Sequence, residues 1–150
     1  MKATLHTDGG AYRSLGLAGI GVVLKHRAGE IVCEIARNIG RGIPGDSGWV
    51  THNTAEYEAL IAGLEFALEH GVTDLEIIID SPVVYGHLCR GYKHKAEHLK
   101  LLADRVRSLL ERFDSAPIER VPSKQNREAH VLATQGMKSP RTQVHRCQYL

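Results

Sequence analysis

The segment Leu75-Glu76-Ile77-Ile78-Ile79 is nearly all apolar, only five residues long, and ends in Asp80 followed by Ser81-Pro82. A run this short and this apolar is predicted to be a strand covered on both faces of a sheet, because a half-solvated strand alternates apolar and polar side chains. Ser81 then serves as a helix N-cap and Pro82 as the first helical residue. An α/β chain follows, built around a buried strand that carries a carboxylate at its tip.

The flanking segments fill out that frame. Residues 3–7 and 19–26 are β-rich, and Ile31, Cys33, Ile35, Arg37 and Ile39 recur at period two, so three strands in an antiparallel meander are predicted. From Asn53 to His70 the period changes to helical, with Tyr57, Leu60, Ile61, Leu64, Ala67 and Leu68 on one face, Asn53 or Thr54 as the cap and Gly71 as the stop. A helix from Pro82 to about Gly91, an amphipathic helix through Leu99, Leu102, Val106, Leu109 and Leu110 to about Phe113, a strand over Ile118–Val121 and a helix over Asn126–Gln135 complete the order βββαβααβα. Right-handed crossovers turn this order into a mixed five-stranded sheet, meander plus parallel strands, flanked by helices.

At 150 residues the chain is expected to form one domain over 1–137, with a polar, basic tail over 138–150. No apolar run reaches the length of a membrane span and the amino terminus does not read as a signal peptide, so a cytoplasmic protein is expected; a monomer is the expected state. Cys33, Cys89 and Cys147 are odd in number and widely spaced, which predicts reduced thiols. Residues 1–80 carry 6 basic and 11 acidic side chains, and residues 81–150 carry 13 and 6. Such asymmetry suits a polyanion on the basic half and metal ions among the acids of the other, although a solvated surface produces the same counts.

Asp8 is expected just after the first strand, Glu56 in the first turn of the main helix and Asp80 at the tip of the buried strand. If the first and fourth strands run parallel and adjacent, Asp8 and Asp80 emerge side by side at their carboxyl ends, where ligands bind in such sheets. Crowded carboxylates repel unless a hard divalent cation lies between them, so the trio reads as a magnesium or manganese site. His94 and His98, four apart on an expected helix, have zinc-ligand spacing but read better as part of an exposed basic face. Gly19-Ile20-Gly21 lacks the third glycine of a dinucleotide loop and precedes a strand.

Five ordered blocks carry a resemblance: Thr7-Asp8-Gly9-Gly10, Ala18 to Leu24, Asn53-Thr54-Ala55-Glu56-Tyr57, Ile79-Asp80-Ser81, and Asn126-Arg127-Glu128-Ala129-His130-Val131-Leu132-Ala133. Together they resemble type 1 ribonuclease H of the ribonuclease H-like superfamily, in order from about residue 3 to 136. The resemblance implies hydrolysis of the RNA strand of an RNA/DNA hybrid with two Mg2+ or Mn2+ ions, giving 5′-phosphate products. It assigns Asp8, Glu56 and Asp80 to the metals, with His130 completing the catalytic set. It implies substrate contacts at Gly9, Gly10, Ser14, His52, Asn53 and Ser81 near the RNA, Thr51 at a DNA phosphate, and Tyr92 with Lys93 along the DNA strand.

His130 stands where the family usually has Asp, so the fourth carboxylate is absent; imidazole binds hard magnesium less well than carboxylate does. No His occurs between His98 and His130, where many relatives carry a mobile one, and the basic extension of some members has no room between Gly91 and Leu99. Affinity is therefore expected to rest on Arg90, Lys93, Lys95 and Lys100. The rival reading is a hybrid-binding module weakened in catalysis at position 130. A domain serving a larger machine is a third, disfavoured by Met1 and the compact length.

Overall fold

The computed structural model describes residues 1–12, 15–40, 50–139 and 143–147, the last segment by its backbone. Along it run β1 (Lys2–Tyr12), β2 (Leu17–His26), β3 (Ile31–Asn38), α1 (His52–Glu69), β4 (Asp74–Ile79), α2 (Pro82–Cys89), α3 (Glu97–Leu110), β5 (Ile118–Arg120), α4 (Arg127–Lys138) and β6 (Gln143–Cys147). The sheet order is β5-β4-β1-β2-β3-β6. The first five of these strands form the expected mixed sheet: β1, β2 and β3 are antiparallel, and β4 pairs in parallel with β1 and β5. The sixth, from the segment read as a tail, adds antiparallel to β3.

β4 is not covered equally on both faces. Leu75, Ile77 and Ile79 are buried, while Glu76 is exposed and reaches Arg27 at 3.3 Å. The cause is the placement of the helices. α1 packs on β1 and β2 with α3 behind it, whereas α4, on the opposite face, lies over β2, β3 and β1 and leaves β4 partly open.

α1 departs from its sequence reading in two ways. Its cap is Thr51, whose hydroxyl oxygen accepts from the Thr54 N–H, two or three residues before the Asn53 or Thr54 expected. Caged between the sheet and α3, it also buries Ala55, Glu56, Ala59, Ala62 and Gly63 beside the anticipated apolar stripe. α3 stops at Leu110 rather than Phe113, and α4 continues past Gln135 to Lys138.

Close backbone approach is secured by glycines. A Cβ on Gly9 would sit 2.2 Å from the Ala55 carbonyl carbon, and one on Gly21 would sit 2.0 Å from the Ala129 oxygen. Gly9 thus lets β1 touch the first turn of α1, and Gly21, half of the glycine pair already discounted as a dinucleotide loop, lets α4 settle on β2. The reduced-thiol expectation holds for Cys89, which is free and exposed. Cys33 overturns it: the residue is disulfide-bonded, and its register partner on β6 is Cys147. Spacing along a sequence carries no information about which strands become neighbours.

Candidate metal centre and its groove

Asp8 lies within β1 rather than after it, because β1 continues beside β2 as far as Tyr12↔Leu17. Its parallel ladder with β4 ends earlier, at His6↔Ile78. Asp8 therefore stands past the end of that ladder, beside Asp80, which immediately follows β4. Glu56, one turn into α1, faces them because Gly9 admits the helix so closely. Ligand oxygens of Asp8, Glu56 and Asp80 all lie within 4.8 Å of one another.

Burial makes this cluster electrostatically costly. Asp8 and Glu56 are 3% and 4% exposed. Loss of solvation and then the neighbouring Glu56 and Asp80 charges push the Asp8 carboxyl well above its ordinary range, while the His130 contact pulls it down. Burial likewise lifts Glu56 to about 8, against the opposing influence of Asp8 and the Gly9 N–H. Such groups hold protons at neutral pH unless a cation replaces them. Three hard oxygen donors in this state fit a divalent ion of the magnesium type.

Three further side chains complete the centre. His130 Nδ1 lies 2.9 Å from Asp8 Oδ2, with its own side chain largely exposed. His52 Nε2 lies 3.2 Å from Glu56 Oε1. Asn126, buried at the start of α4, donates to the Thr7 carbonyl at 2.9 Å and to Asp80 Oδ2 at 3.3 Å, so one amide ties β1 to the acid at the tip of β4. In the sequence Asn126 stands only as part of a motif; its linking role depends on where α4 docks, which leaves no local mark.

Of the other expected contacts, Gly9 abuts the backbone of Glu56 and His52 bonds its carboxylate, whereas Gly10 faces Met137 of α4 and Asn53 lines the neighbouring cleft. Thr51 is half-buried and occupied in capping α1, and Ser81 is buried with its hydroxyl capping α2 at Val84. Tyr92 and Lys93 lie across a cleft of about 510 Å³ whose lining also includes Asn53, Pro82, His87 and Lys95. Ser14 lies outside the described residues.

Two expectations fail here. Residues 90–96 are a loop, not part of a basic helix, since α2 ends at Cys89 and α3 begins at Glu97. His94 is likewise not on an exposed helical face: both its ring nitrogens are buried without a hydrogen bond, and its ring centroid is 3.9 Å from that of His87. His98 is exposed and bonds Thr54 Oγ1 at 3.2 Å. His87, missed entirely, has Nδ1 2.8 Å from the Tyr57 hydroxyl.

This fold, with carboxylates at the carboxyl ends of β1 and β4, has close counterparts. The family model described as reverse transcriptase-like matches residues 6–136. Ribonuclease HI of Halobacterium salinarum is 36% identical over 130 residues, which is 87% of this chain and 61% of that protein. The crystal structure of RNase H1 from that archaeon superposes with a TM-score of 0.82 at 33% identity, covering 92% of this chain and 98% of that one. The N-terminal RNase H domain of a Mycobacterium tuberculosis protein gives 0.81 at 30% identity over 91% and 94%. LC11-RNase H1, solved in complex with an RNA/DNA hybrid, gives 0.77 at 28% identity over 91% and 96%.

The chain belongs to the reverse transcriptase-like family of ribonuclease H-fold proteins. Within it, its relatives are type 1 ribonucleases H. It spans about 61% of the length of the curated archaeal relative. Among the described residues no helix is long and apolar enough to cross a membrane.

Proposed function

We propose that the chain is a metal-dependent endoribonuclease that hydrolyses the RNA strand of RNA/DNA hybrids and leaves 5′-phosphate ends. The observation carrying this reading is the meeting of Asp8, Glu56 and Asp80 within 4.8 Å at the carboxyl end of the central strands. The hybrid-bound relative supports the substrate class. A pair of Mg2+ or Mn2+ ions supplies, when bound, an activated water and a neutralising charge for the phosphate and the departing 3′ oxygen.

The residues of the chain divide the remaining work. Asp8, Glu56 and Asp80 would together hold the ions, with Asp8 as the ligand they share. Asn126 keeps Asp80 turned inward. His130 takes the place of the fourth carboxylate; with its proton on Nδ1 it donates to Asp8 and leaves Nε2 as an outer ligand or water-orienting atom. Backbone at Gly9 and Gly10, with His52 and Asn53, is assigned to the 2′-hydroxyls that tell RNA from DNA. Thr51, Tyr92 and Lys93 are assigned to the DNA strand.

Cleavage of a strand-labelled RNA/DNA hybrid, with Mg2+ and separately with Mn2+, tests the proposal. RNA-strand products ending in 5′-phosphate are expected with at least one metal. The missing carboxylate gives a second reading, a hybrid-binding module with weakened chemistry: binding without cleavage by the wild type, and cleavage restored by His130→Asp, would establish it.

A further inference from the structure

The loop between α2 and α3 carries Tyr92, Lys93 and Lys95 along the cleft, yet little backbone structure holds it. It leaves α2 through Gly91, at φ +69°, and reaches α3 at Ala96, an N-cap position with no side-chain hydrogen bond. Its first half is tied to α2 by the Tyr92 N–H, which donates to the Gly86 carbonyl at 3.0 Å, and by the Tyr92 ring, which packs where a Cβ on residue 86 would be. Its second half is held by the His94 ring, whose centroid lies 3.9 Å from that of His87 and 6.4 Å from that of Tyr57, and at its end by Ala96, packed against the core. His87 is in turn fixed to the core by Tyr57 of α1 and by Arg107 of α3, whose Nη2 donates to the His87 carbonyl at 3.0 Å.

We propose that His87 and His94 are positioning residues for this groove wall, holding the 92–95 loop on α2 while both imidazoles are uncharged and releasing it when either takes a proton. The geometry supplies the reason. Both His94 nitrogens are buried and unbonded, so a charged His94 has nothing to solvate it where it sits and must swing out to water. The titratable and charged groups around the pair are Tyr57 from α1 and Arg107 from α3, with Lys93 and Lys95 of the loop lining the same cleft as His87. Burial, His94 and Arg107 all depress the His87 pKa below its ordinary value. His87 is thus uncharged in the resting state near neutral pH, and acidification opens the contact.

The consequence for substrate rests on the hybrid-binding reading above: acid should weaken engagement of the strand along Tyr92 and Lys93 without altering chemistry at the acids. His94→Leu is the informative variant, because replacing two unbonded buried nitrogens with an apolar side chain leaves the packing and removes the proton. Amide exchange at Tyr92, expressed as protection relative to an unstructured peptide, is measured at about pH 7.5 and about pH 5.5. Wild type should lose roughly fivefold or more of its protection on acidification, and His94→Leu, which keeps only one of the two imidazoles, should lose clearly less. KM for an RNA/DNA hybrid should rise several-fold more in wild type than in the variant over the same range, with kcat changing equally in both. His87→Gln, which can still bond the Tyr57 hydroxyl, provides the same comparison should the leucine variant misfold. Equal loss of protection in wild type and variant, or none in wild type, overturns the inference. Failure to engage a hybrid at any pH would instead remove the functional reading, and the Tyr92 amide would still decide the role of the histidines.

Discussion

At the scale of single residues, the centre is governed by the cost of placing three carboxylates in a buried niche. In the metal-free protein Asp8 and Glu56 keep protons that the unfolded chain sheds near pH 4, so their contribution to stability is present below that range and is lost as pH rises toward about 8. Thermal melts of metal-free protein are therefore expected to show a lower Tm at about pH 8.5 than at about pH 6, with Mg2+ or Mn2+ raising Tm more at the higher pH. Asp8→Asn removes the central donor and one of the repelling charges together. It should cut cleavage by at least ~100-fold while raising metal-free Tm at about pH 8. Turnover within tenfold of wild type would show that the centre has been misassigned. His130→Asp adds a hard anionic donor and should lower the Mg2+ concentration for half-maximal cleavage, whereas identical Mg2+ titrations for wild type, His130→Asp and His130→Ala would leave His130 no role at the metals.

At the scale of elements, the site exists because two helices approach the sheet more closely than ordinary side chains permit. α1 touches β1 over Gly9, and α4 touches β2 over Gly21. Gly9→Ala drives a methyl into the Ala55 carbonyl and must separate Asp8 from Glu56. A loss of at least ~2 kcal/mol in urea unfolding is expected, together with weakened metal binding by calorimetry. Gly21→Ala strikes α4 at Ala129, beside His130, and should destabilise similarly; its effect on metal affinity is smaller, since the three carboxylates ride on other elements. A Gly9→Ala protein with unaltered metal affinity would show that β1 and α1 can shift without disturbing the acids.

At the scale of the whole molecule, the acids and the basic side chains meet on one face through the sheet order β5-β4-β1-β2-β3, which sets the tip of β4 beside β1 and brings the 90–96 loop over Asn53. Lys93→Ala with Lys95→Ala should weaken hybrid binding and lower the slope of log K against log salt by roughly one to two, leaving the choice of strand unchanged. An unchanged slope would exclude the loop from the interface. The period-two and period-3.6 patterns, the apolar run ending in Asp80 and the punctuation at Gly71 and Ser81-Pro82 were enough to give the element order, the five-stranded sheet and the three carboxylates as a group. These are legible because backbone period and burial act on neighbouring residues and are written locally. The Thr51 cap, the burial of α1 on nearly every side, the sixth strand with Cys147 opposite Cys33, the Asn126 link from Thr7 to Asp80 and the tilted ring contact of His94 with His87 were decided only by tertiary structure. Each joins residues far apart in the chain or turns on which face a helix finds covered, and that is set when the helices dock on the sheet.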